Sequence, residues 1–116
     1  MRGHFEDHAL RARYPAGYNL PVIVTATAVY LDWINSVGDI ATRARIQVRV
    51  DRLVHGNPGK YRTLTHGVCE LKVDIGPGYR VYYTQRGDTL TVLLAGGDKS
   101  TQARDIKMAI SLARHL

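Results

Sequence analysis

Val68-Cys69-Glu70-Leu71-Lys72-Val73-Asp74-Ile75, Gly76-Pro77-Gly78 and Tyr79-Arg80-Val81-Tyr82-Tyr83-Thr84-Gln85 read as two strands joined by a turn. In the first strand Cys69, Leu71, Val73 and Ile75 fall on one side and Glu70, Lys72 and Asp74 on the other, the period of two that marks one buried face. The return strand sets Tyr79, Val81 and Tyr83 against Arg80, Tyr82 and Thr84. If the apolar sides coincide, Lys72, Arg80 and Tyr82 share an open face. Arg86-Gly87-Asp88 makes the next turn and is read as a hairpin loop rather than a cell-adhesion motif, with Gly87 meeting the positive φ such loops need. Thr89 to Ala95 is apolar on both faces, as in a central or helix-covered strand. It leads into Gly96-Gly97-Asp98-Lys99-Ser100. Arg80 and Lys99 therefore sit at or just past strand ends, where a sheet can present both to a phosphate.

Outward on the N-terminal side, Pro21-Val22-Ile23-Val24-Thr25 is short and β-branched and predicts a first strand. Thr27 offers a helix N-cap, and Tyr30, Trp33, Ile34 and Val37 recur at helical spacing, which favours Trp33 as a core residue over a stacking platform for a base. Asp39 caps a second helix, roughly Ile40 to His55, with Ile46, Val50, Leu53 and Val54 on one side and Arg45, Arg49 and Arg52 on another. That arginine row either tracks phosphates, meets an acidic partner or is simply a solvated face. Gly56-Asn57-Pro58-Gly59 ends the helix, and Lys60, Tyr61, Arg62 and His66 are read as a polar loop that can contact RNA, with Tyr61 stacking on a base. On the C-terminal side, Ser100 or Thr101 caps a last helix with Ile106, Ala109, Ile110 and Ala113 in one stripe. The order is strand, two helices, three strands, helix.

The 116-residue length allows one domain, and 45% hydrophobic with 22% charged residues is the composition of an ordinary globule. Met1 to Asn19, with His4 and His8, lacks either period and reads as a loose extension, so the folded unit is taken as residues 20–116. Sixteen Lys and Arg against ten Asp and Glu give a net charge of +6, which attracts polyanions: RNA, DNA or an acidic protein. The lone Cys69 excludes an internal disulfide and a cysteine-rich metal site. No run approaches a membrane span and no signal peptide is seen, so the expectation is cytoplasmic.

Several of these residues also carry a resemblance. Tyr30 and Trp33, Arg43-Ala44-Arg45-Ile46, Leu53, Gly56-Asn57-Pro58-Gly59, Glu70-Leu71-Lys72, Gly76 to Tyr82, and Gly96 to Ser100 with Gln102 and Asp105-Ile106 resemble the RelE/HigB toxins of bacterial toxin–antitoxin modules. Within the RelE/ParE superfamily they are most similar to the phage-derived addiction module killer protein branch. The match runs over about residues 20–116. It implies an α+β, RelE-like fold with a small, mainly antiparallel four-stranded sheet (β-α-α-β-β-β-α) packed on helices. It also implies an endoribonuclease, without metal or other cofactor, that cuts mRNA on the ribosome and so inhibits translation and growth. The RNA 2′-hydroxyl attacks the adjacent phosphate, and the protein must align it, disperse charge and protonate the leaving oxygen.

The resemblance assigns Arg80 to phosphate stabilisation, Lys99 to phosphate binding or acid, and Lys72 to a second clamp or proton acceptor. Their alternatives are a structural ion pair of Arg80 with Glu70 or Asp74, and solvated cations for the lysines. Where some relatives carry a tyrosine or histidine base on the last helix, this chain has Asp105, which either accepts a proton or fixes a cation; Tyr82 and His66 are the other candidates for base. Arg45, Arg49, Lys60, Arg62 and His66 are candidate RNA contacts. The implied partners are the ribosome and mRNA, and a HigA-like helix-turn-helix antitoxin through which operator DNA is reached. Two rivals remain: a non-enzymatic ParE-like poison of DNA gyrase, and an RNA-binding module without chemistry.

Overall fold

A computed structural model of the chain describes residues 22–116, so the reading of residues 1–19 as an extension lies outside the described residues. The protein is α+β. Strand β1 (Ile23–Ala26), helices α1 (Ala28–Ser36) and α2 (Ile40–Val54), strands β2 (Tyr61–Thr63), β3 (Cys69–Val73), β4 (Tyr79–Arg86) and β5 (Leu90–Asp98), a 3-10 turn (Lys99–Thr101) and helix α3 (Gln102–Arg114) follow one another. The sheet has five strands in the order β1-β5-β4-β3-β2, with β1 parallel to β5 and every other pair antiparallel.

The expected count of four strands is corrected by β2. The segment read as a polar loop pairs with β3 in the register Tyr61 to Leu71, Arg62 to Glu70 and Thr63 to Cys69. Its three residues, all exposed, carry too short a pattern to show a period of two; pairing with the neighbouring strand, not local sequence, makes it extended.

Both faces of the sheet are covered, which corrects the expectation of an open one. Helices α1 and α2 lay Tyr30, Ile34, Ile46, Val50 and Leu53 over Leu71, Val73, Val81, Tyr83 and Leu93. Helix α3 lays Ala109 and Ala113 over Val68, Tyr82, Val92, Leu94 and Ala95. The apolar stripe of α3 needs a partner surface, and the second face supplies it. A bulge helps: β4 and β5 pair Tyr82 with Ala95 but Tyr83 with Leu93, so Leu94 and Ala95 both join the α3 side.

The helix starts are capped as their sequences predict. Asp39 Oδ2 accepts from the Thr42 amide at 3.3 Å. Thr27 Oγ1 accepts from the Tyr30 amide at 3.1 Å and donates to the carbonyl of the bulged Leu94 at 2.5 Å. Thr27→Ala removes both bonds at once and is expected to lower stability by about 1 to 2 kcal/mol, the upper part of the usual range for losing a cap, as read from the urea midpoint. The last helix differs. Neither Ser100 nor Thr101 makes a side-chain cap; Asp98 accepts from the Ser100 amide at 2.8 Å and so starts the 3-10 turn that carries Lys99.

Candidate functional site

The two glycines of Gly96-Gly97 are there for room on opposite faces, not for backbone conformation, since neither has a positive φ. A Cβ on Gly96 would lie 2.1 Å from the Trp33 ring, which is seated on the β5 backbone between Tyr30 and Tyr79, with ring centres 5.7 and 6.4 Å away. A Cβ on Gly97 would lie 1.9 Å from Asp105 Oδ2. Asp105 accepts from Thr101 Oγ1 at 2.5 Å and is almost fully buried. It is thus held against the sheet at the start of α3 and pins the turn; it does not stand free as a proton acceptor.

Gly78 marks where the cations meet. The point at which its Cβ would sit is 3.3 Å from Lys99 Cδ and 3.6 Å from Arg80 Nη1, so the Lys99 stem and the Arg80 guanidinium flank one glycine. Lys72 is the cross-strand partner of Arg80 and shares its face. The three residues singled out from sequence are therefore gathered at one end of the sheet. Arg80 itself is only 5% exposed rather than open, because the turn and α3 close over that face.

Arg80 is weakly neutralised for a buried cation. Its Nη1 donates to the Tyr79 carbonyl at 3.0 Å, while its Nε has no hydrogen-bond partner. The nearest carboxylates are Glu70 Oε1 at 3.9 Å and Asp74 Oδ1 at 4.0 Å, both beyond hydrogen-bonding distance. Glu70 is already engaged: Arg62 Nε donates to its Oε1 and Gln102 Nε2 to its Oε2, each at 2.8 Å. Asp74 accepts from Lys60 Nζ at 2.9 Å, and that bond, with the charges of Lys60, Arg80 and Lys72, holds its carboxyl below the usual range. Both candidate counter-ions of Arg80 are thus bonded to other cations.

Glu70 is completely buried. Burial alone would raise its carboxyl, but the hydrogen bonds from Arg62 and Gln102 and the Arg62 charge outweigh it and hold the pKa below the ordinary 4.5. Between 4.5 and the depressed folded value the unfolded chain binds a proton that the folded chain does not, so this stabilisation is complete above the ordinary value and is lost as pH falls through the folded one. Urea midpoints measured from about pH 6 to about pH 3 should fall less steeply in Glu70→Gln than in the parent, because the variant lacks this titrating carboxyl, while the depressed carboxylates of Asp39, Asp74 and Asp98 keep some fall in both.

Other candidates are placed elsewhere. Tyr82, expected on the open face as a base, is fully buried under α3 with its hydroxyl lacking a partner of ordinary geometry. Burial first and the Glu70 charge second push its pKa far up. His66 sits at a left-handed φ of 59° in the β2–β3 turn, beside Thr65, at the far end of the hairpin from Lys72. Arg45 and Arg49 are on α2, across the sheet from Arg80. Arg49 Nη2 donates to the carbonyls of Lys60 at 3.3 Å and Lys72 at 3.1 Å and clamps α2 to the sheet edge. Arg45 borders a cavity of about 360 Å³ with Val48 and Ile75. Lys60 and Lys72 rim a second cleft, of about 330 Å³, with Arg49, Arg52 and Asp74. Among the described residues no group of three or more His, Cys, Asp or Glu is placed to hold a metal, and no helix is long and apolar enough to cross a membrane.

Two residues that sequence reasoning gave no site role, Glu70 and Gln102, stand at the centre of the polar network. The available signal was a carboxylate alternating into a strand that the stripe of α3 had to cover.

The fold and site define an α+β protein with a mixed five-stranded sheet between helical layers and a cation cluster at one sheet end. No family model and no solved structure matches the chain. It is 38% identical over 97 residues to an uncharacterized protein of Haemophilus influenzae strain Rd, an alignment covering 84% of this chain and 98% of that protein. The chain belongs to the same family as that protein.

Proposed function

We propose that the chain is a RelE/HigB-type toxin with a RelE-like fold, acting in the cytoplasm as a ribosome-dependent mRNA endonuclease and held in check by a helix-turn-helix antitoxin. The observation that carries the reading is the meeting of Arg80 and Lys99 about Gly78 with Lys72 alongside, where Arg80 has an unpaired Nε and no carboxylate within hydrogen-bonding distance. A buried, under-neutralised guanidinium is costly, and an anion relieves that cost. A phosphodiester whose charge grows during reaction suits it best, because a preorganised fork of donors favours the transition state over the ground state.

In this reading the RNA 2′-hydroxyl passes its proton to solvent water and attacks phosphorus, the bond to the 5′ oxygen breaks, that oxygen takes up a proton, and a cyclic phosphate and a 5′-hydroxyl are left. Arg80 and Lys72 neutralise the pentacoordinate phosphate. Lys99, on the turn beyond β5, binds the same phosphate or gives the leaving oxygen its proton. Asp105 and Tyr82 support the site from beneath. Incubating the protein with translating ribosomes and mapping new RNA ends tests the proposal: cuts inside translated messages with 5′-hydroxyl ends are expected, and intact messages would refute it. Growth arrest that survives loss of Arg80 and Lys99 would favour a gyrase-binding toxin instead.

A further inference from the structure

We infer that Glu70 and Gln102 are positioning residues whose half-buried hydrogen bond helps to set Lys99 against Arg80. Local and long-range side-chain contacts hold the turn that carries Lys99; Thr101 Oγ1 also donates weakly to the Asp98 carbonyl at 3.5 Å. Asp98 accepts from Ser100, and Thr101 donates to Asp105; both are local, spanning two and four residues, and fix the shape of the turn. The long-range contact, Gln102 Nε2 to Glu70 Oε2 at 2.8 Å, spans 32 residues and ties the first residue of α3 to the second residue of β3. The turn already starts from the sheet, because Asp98 at its head pairs with Tyr79; the Gln102–Glu70 bond adds a second anchor at its far end, two strands away.

Glu70 suits this task because it cannot move. It is fully buried, Arg62 on β2 holds its other oxygen, and Tyr82 on β4 is its cross-strand neighbour. By engaging Arg62 and Gln102 it is also kept out of hydrogen-bonding distance of Arg80, which leaves the buried Nε of that guanidinium without a hydrogen-bond partner. One carboxylate therefore both anchors the turn of the lysine and leaves the arginine Nε without a hydrogen bond. The inference rests on reading Arg80 and Lys99 as a phosphate site.

A double-mutant cycle on inorganic phosphate binding tests it without reference to cleavage. Gln102→Ala, Lys99→Ala and the double variant are titrated with phosphate by NMR, following the Lys99 side-chain signals where present. Gln102→Ala should weaken binding about tenfold, the scale of one hydrogen bond to a charged group. Adding it to Lys99→Ala should cost little more, because the two act through one contact. A purely structural Gln102 would lower the melting temperature yet leave phosphate affinity unmoved, or give additive losses; either result overturns the inference, as does a Lys99→Ala variant that binds like the parent. Glu70→Gln is expected to behave as Gln102→Ala, and since its loss of charge endangers folding, the Gln102 variants decide. Coupled losses of phosphate binding without RNA cleavage would refute the endonuclease while leaving the positioning role intact.

Discussion

Arg80→Ala should lower ribosome-dependent RNA cleavage at least about 100-fold and relieve growth arrest, the usual loss when a preorganised charge-stabilising donor is removed. The chain should nevertheless remain folded. Glu70 keeps its bonds to Arg62 and Gln102, and Asp74 keeps Lys60, so no carboxylate is abandoned in the interior when the guanidinium goes. That separation of activity from folding follows from the loose pairing of Arg80 at 3.9 and 4.0 Å; a structural ion pair would show the reverse pattern. Arg80→Lys provides the control. It retains the charge but not the planar fork, and should recover only a small part of the rate. Single-turnover cleavage beside circular dichroism of both variants decides the point.

Gly96→Ala should be the most damaging small substitution in the fold. The new methyl would enter the Trp33 ring, with three ring atoms between 2.1 and 2.5 Å away, and Trp33 is bounded by Tyr30 and Tyr79. Moving an indole out of such a stack costs about 1 to 3 kcal/mol or more, so the urea midpoint should drop with little change in slope. Gly97→Ala meets Asp105 and Thr101 on the other face and should disturb the Lys99 turn as well as stability. An unchanged midpoint for Gly96→Ala would mean that the indole does not rest on β5.

Much of the secondary structure was legible because it is written in local chemistry. The caps at Thr27 and Asp39, the helix end at Gly56 with φ of 92°, and the hairpin from Cys69 to Gln85 need only nearby residues to be recognised. Strand β2 was not legible, because three exposed residues become a strand only when β3 lies beside them. The candidate site divides along the same line. Arg80, Lys99 and Lys72 could be picked out as cations at strand ends, but their setting could not. Whether Tyr82 faced solvent or a helix, and whether Arg49 met RNA or the backbone of Lys60 and Lys72, depended on elements tens of residues away.

By itself the sequence determined an α+β chain, the strand and helix order apart from β2, and a cation cluster next to a glycine turn, since periodicity, capping and turn chemistry act over a few residues. Only the tertiary structure decided that α3 closes the second sheet face, that Glu70 is buried and engaged by Arg62 and Gln102, and that Arg80 is left without a close counter-ion. Burial and long-range hydrogen bonding are properties of surfaces brought together by packing. The pattern of one strand says which side is apolar, but not what will lie against the other.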